Sequence, residues 1–181
     1  LKHVTLTIDG TQVTVPDGTL VADAAKMAGI DIPVFCHHPK LEPVGMCRMC
    51  LVEIGRPMRD RATGQFVMEN GAPKIQFMPK LETACTNKVE DGMVVVTQSE
   101  KTAEAQKATV EFLLTSHPLD CPICDKGGEC PLQNLTMTHG PRESRFRLEE
   151  KMRFAKPAPL GELIWLDRER CIFCARCVRF Q

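Results

Sequence analysis

The chain has 181 residues, 43% hydrophobic and 25% charged, with a formal net charge of zero. That length supports one modest core or two to three small units, and the balanced charge supplies neither a basic field for nucleic acid nor an acidic solvating tail. No apolar run approaches the roughly 18 residues that cross a bilayer, so the sequence predicts a soluble protein that meets membranes only through partners.

In chain order, Val4-Thr5-Leu6-Thr7-Ile8 and Gln12-Val13-Thr14-Val15 alternate as strands, with Asp9-Gly10 as the hairpin turn between them. Thr19 is placed to cap a short helix with Leu20, Ala24, Met27 and Ala28 as its apolar positions, ended by Gly29. Pro33 opens a loop carrying the first cysteines, and Leu51-Val52-Glu53-Ile54 resumes strand character. Residues 55–80, rich in Gly, Pro and charge and containing Asn70-Gly71, read as an inserted hairpin. Met93 to Thr97 is a β-branched strand that closes the sheet. Residues 1–97 therefore read as a compact α+β domain.

Ser99 caps a helix running to about Ser116, with Ala103, Val110, Leu113 and Leu114 on its apolar face and Gln106 interrupting it. Residues 98–140 form a second unit, in which Cys121 to Gly140 reads as loops with a short helical turn. Residues 141–181 read as a linker containing Pro157 and Pro159, a short strand at Leu163-Ile164-Trp165-Leu166 and a final cysteine motif. The chain opens in a strand-like pattern without Met and stops inside a motif, which reads as a fragment of something longer.

Ten cysteines are present, and their spacing fits metal better than disulfides, since no export signal accompanies them. The first set, Cys36, Cys47, Cys50 and Cys85, follows C-x10-C-x2-C with a distant fourth member. This is the plant-type [2Fe–2S] pattern with a longer first gap. Gly45 lets the backbone approach, so that amides there can donate to sulfur. His37 and His38 adjoin Cys36 but read as a solvated loop, because four thiols already suffice. The second set, His117, Cys121, Cys124 and Cys130, supplies three thiolates and one imidazole, the ligand count of a [4Fe–4S] cluster, with Gly127-Gly128 permitting the return to Cys130.

The third set, Cys171, Cys174 and Cys177, is the C-x2-C-x2-C run of bacterial ferredoxins, but Gln181 stands where that run places its fourth cysteine. The set is incomplete as it stands, and its fourth ligand is expected either beyond Gln181 or from elsewhere in the fold. Arg168, Arg170, Arg176 and Arg179 surround the run as either a solvated face or a positive field. A zinc-stabilised interaction module is the rival reading. It fits less well, because the C-x2-C pairs lie too far apart for a zinc ribbon.

The segments Phe35-Cys36, Gly45-Met46-Cys47-Arg48-Met49-Cys50, His117-Pro118-Leu119-Asp120-Cys121-Pro122 and Arg170-Cys171-Ile172 resemble the N-terminal region of the large iron–sulfur subunit (75 kDa or G type) of respiratory complex I, the NADH:quinone oxidoreductase. The resemblance covers essentially the whole chain. It implies a ferredoxin-like β-grasp [2Fe–2S] domain followed by small [4Fe–4S]-binding segments, with one or two [4Fe–4S] clusters, and electron transfer from NADH and FMN toward quinone. It implies the three ligand sets above and no catalytic side chain. It also implies partners among the hydrophilic subunits, including the FMN/NADH-binding one, on the cytoplasmic side of the inner membrane in a bacterial source. The same modules resemble parts of soluble NAD-linked and [FeFe] hydrogenases and formate dehydrogenases.

Overall fold

The computed structural model describes residues 2–60, 62–156 and 158–180. Strands β1 (His3–Ile8) and β2 (Thr11–Pro16) pair antiparallel, Val4 opposite Val15 and Leu6 opposite Val13. Asp9 and Gly10 turn the hairpin with φ of +45° and +81°, the left-handed pair that matches strand twist in a two-residue loop. Helix α1 (Val21–Met27) follows, and here two expectations are corrected. Thr19 does not cap it: the N-cap position is Leu20, without a side-chain bond, because the Thr19 hydroxyl donates to the Pro16 carbonyl at 2.7 Å. The buried face is Val21, Ala22, Ala24 and Ala25, whereas Met27 is exposed. Gly29, at φ +76°, ends the helix as expected.

Strand β3 (Leu51–Pro57) leads into the inserted hairpin, β4 (Met68–Glu69) and β5 (Ala72–Pro73), turned at Asn70-Gly71. Strand β6 (Ile75–Phe77) returns along the far end of β3, and β7 (Glu82–Thr83) pairs with its start. A Cβ on Gly55 would lie 2.5 Å from Ile75 Cγ2, so glycine is what allows β6 to close on β3. Strand β8 (Val94–Val96) does not close an edge. It lies between β1, which it joins in parallel, and β3, which it joins antiparallel, giving the order β2-β1-β8-β3-β6. A helix laid on a mixed sheet with a parallel central pair is the ferredoxin-like β-grasp arrangement, and the chain is α+β.

The core joins Leu6, Ile8, Val15, Val52, Ile54 and Val95 of the sheet to the alanines of α1. Leu6 is 1% exposed. Leu6→Ala should cost about 2–5 kcal/mol through lost burial and residual cavity, read as a lower melting temperature of the intact protein.

Helix α2 (Glu100–Leu114) is capped as expected, the Ser99 hydroxyl accepting from the Thr102 N–H at 3.2 Å. Its buried face is Thr102, Gln106 and Val110, and Ala103 is exposed. Gln106 therefore lies on the inner face instead of interrupting it. Beyond a short 3-10 turn at Cys121–Ile123, the segment holds helix α3 (Pro131–His139), longer than the expected turn, packed on α2. In the linker, β9 (Ala158–Pro159) pairs with β10 (Trp165–Leu166), which narrows the expected strand to its last two residues. Helix α4 (Arg176–Phe180) ends the described chain. Leu1, Arg61, Pro157 and Gln181 lie outside the described residues, and with them the two ends, one linker proline and the position of the missing cysteine.

Candidate metal centre

The first set is assembled from three pieces of backbone. Cys36 follows buried Phe35, Cys50 opens into β3, and Cys85 lies just after β7. Cys36, Cys50 and Cys85 are 0%, 1% and 0% exposed, while Cys47 is partly exposed. Gly45 and Arg48 take φ of +59° and +61°, folding the 36–50 loop inward. A Cβ on Gly45 would meet Thr86 Cγ2 at 3.0 Å and Thr83 Oγ1 at 3.3 Å, so the loop closes against the end of β7 and the turn that carries Cys85. The thiols form a chain of contacts, Cys47 to Cys36, Cys36 to Cys85 and Cys85 to Cys50. Bonds from Cys47 and Cys85 hold Cys36 down, the bond to Cys85 holds Cys50 down, and Cys85 and Cys47 are pushed up in return. The neighbouring sulfurs therefore share protons, and iron would take each of them as a thiolate.

Residues that the sequence reading did not single out brace this set. The Arg56 guanidinium forks onto Glu82 at 2.9 and 3.1 Å and also reaches Asn87 and Glu90. It ties β3 to both flanks of Cys85. His37 Nε2 bonds Asp23 at 3.0 Å, and His38 Nδ1 accepts from the Lys40 N–H at 3.2 Å. Each histidine therefore has a ring nitrogen engaged away from the thiols.

The second set lines one cavity of about 490 Å³, where His117, Cys121, Cys124 and Cys130 face a shared space. His117 follows the end of α2, whose last carbonyls receive Lys151 Nζ, at 2.6 Å for Leu114 and 3.4 Å for Thr115. Burial, reinforced by the Lys151 ammonium, lowers the His117 pKa and favours the neutral ring that binds metal. Cys130 is the N-cap residue of α3. Between the thiols the chain doubles back tightly: a Cβ on Gly127 would stand 2.8 Å from the Cys121 carbonyl oxygen. That contact is to backbone and cannot move away, so glycine is required there.

The third set is wrapped by two non-glycine residues in the left-handed region, Phe173 at φ +54° and Ala175 at φ +53°. The Phe173 N–H points at Cys171 Sγ at 3.5 Å, the kind of N–H···S contact that tunes a bound metal. No glycine marks these positions, so nothing in the sequence announced the turn. The surrounding arginines are engaged, not a solvated face. Arg168 stacks over the Phe154 ring, and Arg170 bonds Asp120 at 3.1 Å. Arg176 and Arg179 donate to carbonyls of the 36–42 loop.

The three sets adjoin one another. Asp120, one residue before Cys121, accepts from both Arg170 and Lys156, and Lys156 also reaches Glu169 at 2.7 Å. A buried apolar group of Phe35, Met49, Val110 and Leu132 has Cys47, Cys130 and Ile172 packed on it, one residue from each segment. Among the described residues no group of three or more His, Cys, Asp or Glu gathers as a single-ion site. A body of several irons and sulfides is larger than one ion and needs ligands spread about a volume. The cavity lined by His117, Cys121, Cys124 and Cys130 fits that requirement.

Comparison with known proteins agrees with this geometry. Residues 2–100 match the 2Fe-2S iron-sulfur cluster binding domain, and residues 106–145 match the NADH-ubiquinone oxidoreductase-G iron-sulfur binding region. The G-type subunit of NADH-quinone oxidoreductase from Mycobacterium bovis is 51% identical over 99% of this chain and 20% of its own length. NADH-quinone oxidoreductase subunit 3 of Thermus thermophilus is 47% identical over 93% of this chain and 23% of its own length. The chain thus spans about a fifth of the length of the curated relatives it matches. A crystal structure of NAD+-reducing [NiFe]-hydrogenase in the H2-reduced state superposes with a TM-score of 0.74 at 30% identity, over 97% of this chain and 64% of that one. Because the first match takes in more than half of the residues, the chain belongs to the 2Fe-2S iron-sulfur cluster binding domain family.

Proposed function

We propose that this chain relays single electrons within an NADH:quinone oxidoreductase, using Cys36, Cys47, Cys50 and Cys85 to hold a [2Fe–2S] cluster and His117, Cys121, Cys124 and Cys130 to hold a [4Fe–4S] cluster. Cys171, Cys174 and Cys177 supply three ligands of a further [4Fe–4S] cluster. The segments bearing them are residues 1–97, 98–140 and 141–181. The observation that supports the reading is that buried Cys36, Cys50 and Cys85 lie together with Cys47, and His117, Cys121, Cys124 and Cys130 line one cavity, with the third segment bonded to both through Arg179 and Arg170. Bound clusters supply one-electron acceptance at low potential.

The chain's own residues do no proton or group transfer. They fix spacing through the Arg170–Asp120 and Arg179–Cys36 links, exclude water from Cys36, Cys50 and Cys85, and aim N–H groups at sulfur. Its partners are the other hydrophilic subunits, the FMN- and NADH-binding one included, on the cytoplasmic side of the inner membrane of a bacterium. No described helix is long and apolar enough to cross a membrane. A second reading, an iron–sulfur module of a soluble NAD-linked hydrogenase, is favoured by the fold match to such an enzyme.

Purified without oxygen, the intact protein should be brown and contain acid-labile sulfide matching its iron. Colourless material with zinc and no sulfide would sink the reading. NADH-driven quinone reduction without hydrogen-driven NAD+ reduction separates the two oxidoreductases.

A further inference from the structure

The third segment is joined to the first by two side chains of α4. Arg176 Nη2 donates to the His37 carbonyl at 2.7 Å. Arg179 Nη1 donates to the Glu42 carbonyl at 2.5 Å, and its Nη2 donates to the carbonyls of Cys36 and Cys174. One guanidinium thus bridges a ligand residue of the first set and a ligand residue of the third. Both arginines are partly buried.

Their bonding contrasts with that of the ion-paired arginines. Arg56, Arg145 and Arg170 each lie against carboxylates. Among the described residues Arg176 and Arg179 bond only backbone carbonyls, and Arg176 Nε is buried without an acceptor. Two cations drawn out of water without a carboxylate would be costly. A negative centre held by Cys36 or Cys174, whose carbonyls Arg179 bonds, would supply the charge that no carboxylate supplies.

We propose that Arg176 and Arg179 form a guanidinium clamp that holds the Cys36 loop against the third ligand set and, through its uncompensated charge, raises the reduction potential of the centre on Cys36. This rests on the iron–sulfur reading above. Both arginines are positioning residues. A reduced centre carries one more negative charge than an oxidised one, so a fixed cation nearby stabilises the reduced state. The carbonyl bonds fix where that cation sits.

The test is an EPR-monitored redox titration of the full-length protein in its native assembly, comparing wild type, R179Q, R179K and R176Q. At the wild-type midpoint, R179Q should lower the reduced-to-oxidised ratio of the first centre by about threefold to tenfold, the order expected for one charge removed from a partly buried site. R179K, which keeps the charge, should return most of that ratio, and the centre on His117 should not move. An unchanged ratio in R179Q, or an equal fall in R179K, overturns the clamp. If R179Q loses its clusters, R176Q decides instead: a fall at the first centre without one at the His117 centre supports the clamp, and an unchanged first centre or an equal fall at the His117 centre overturns it. Wild-type protein without acid-labile sulfide would instead sink the iron–sulfur reading itself.

Discussion

Cys85→Ser is expected to abolish the EPR signal of the N-terminal centre while leaving those of the other two. Cys85 is fully buried and hydrogen-bonds with Cys36 and Cys50, and it is the one ligand of its set that comes from outside the 36–50 loop. Removing it leaves three thiols on a single loop and nothing from the turn after β7 to close the site. Because cluster binding is coupled to folding, the loop loses its organising partner at the same time. The serine hydroxyl, buried in an apolar core without the thiol contacts, adds a penalty of about 1–3 kcal/mol. Iron and sulfide in the intact protein should fall by one [2Fe–2S] equivalent, and the melting temperature should drop. A surviving [2Fe–2S] spectrum would remove Cys85 from the ligand set. Loss of every signal would mean that the segments do not load independently.

His117→Ala is the second large effect. The imidazole is one of four side chains facing the cavity, and truncation opens one side of it to solvent. The centre in that cavity should lose iron while the [2Fe–2S] signal persists. His117→Cys should retain the centre at a lower potential, because a thiolate brings a negative charge where the neutral ring brought none. The pH dependence has a definite sign. The folded His117 pKa lies below the ordinary histidine value of about 6.5. The unfolded chain therefore binds the extra proton first. The stability associated with the neutral ring is fully present above about pH 6.5 and is lost as the pH falls. Acid should strip the His117 centre from wild type as a proton competes with iron for the ring, and iron content of that centre that does not change through the histidine range would detach His117 from the site.

Several features could be read directly along the chain because they depend on a few adjacent residues. Asp9-Gly10 and Asn70-Gly71 dictate hairpins through left-handed backbone, and Ser99 dictates a helix start through its own hydroxyl. The cysteine intervals dictate ligand sets because thiolate chemistry tolerates few alternatives at that density. Where two local options compete, the reading failed. The Thr19 hydroxyl could serve the helix or the preceding turn, and it bonds the Pro16 carbonyl. On a seven-residue helix rich in alanine, several faces look equally apolar, and contact with the sheet decides that Met27 stays outside.

The sequence alone determined the iron–sulfur chemistry and the α+β class, and it proposed the side chains that would bind metal. Only the tertiary structure decided that β8 lies at the centre of the sheet and that Gln106 faces inward. It alone turned the arginines near the third set into fasteners, Arg170 to Asp120 and Arg179 to Cys36. The reason is range. Turn and ligand preferences act over a few bonds, whereas an arginine's partner is chosen by segments that meet across 50 or 143 positions of sequence, and no local pattern encodes which carbonyl or carboxylate will be there.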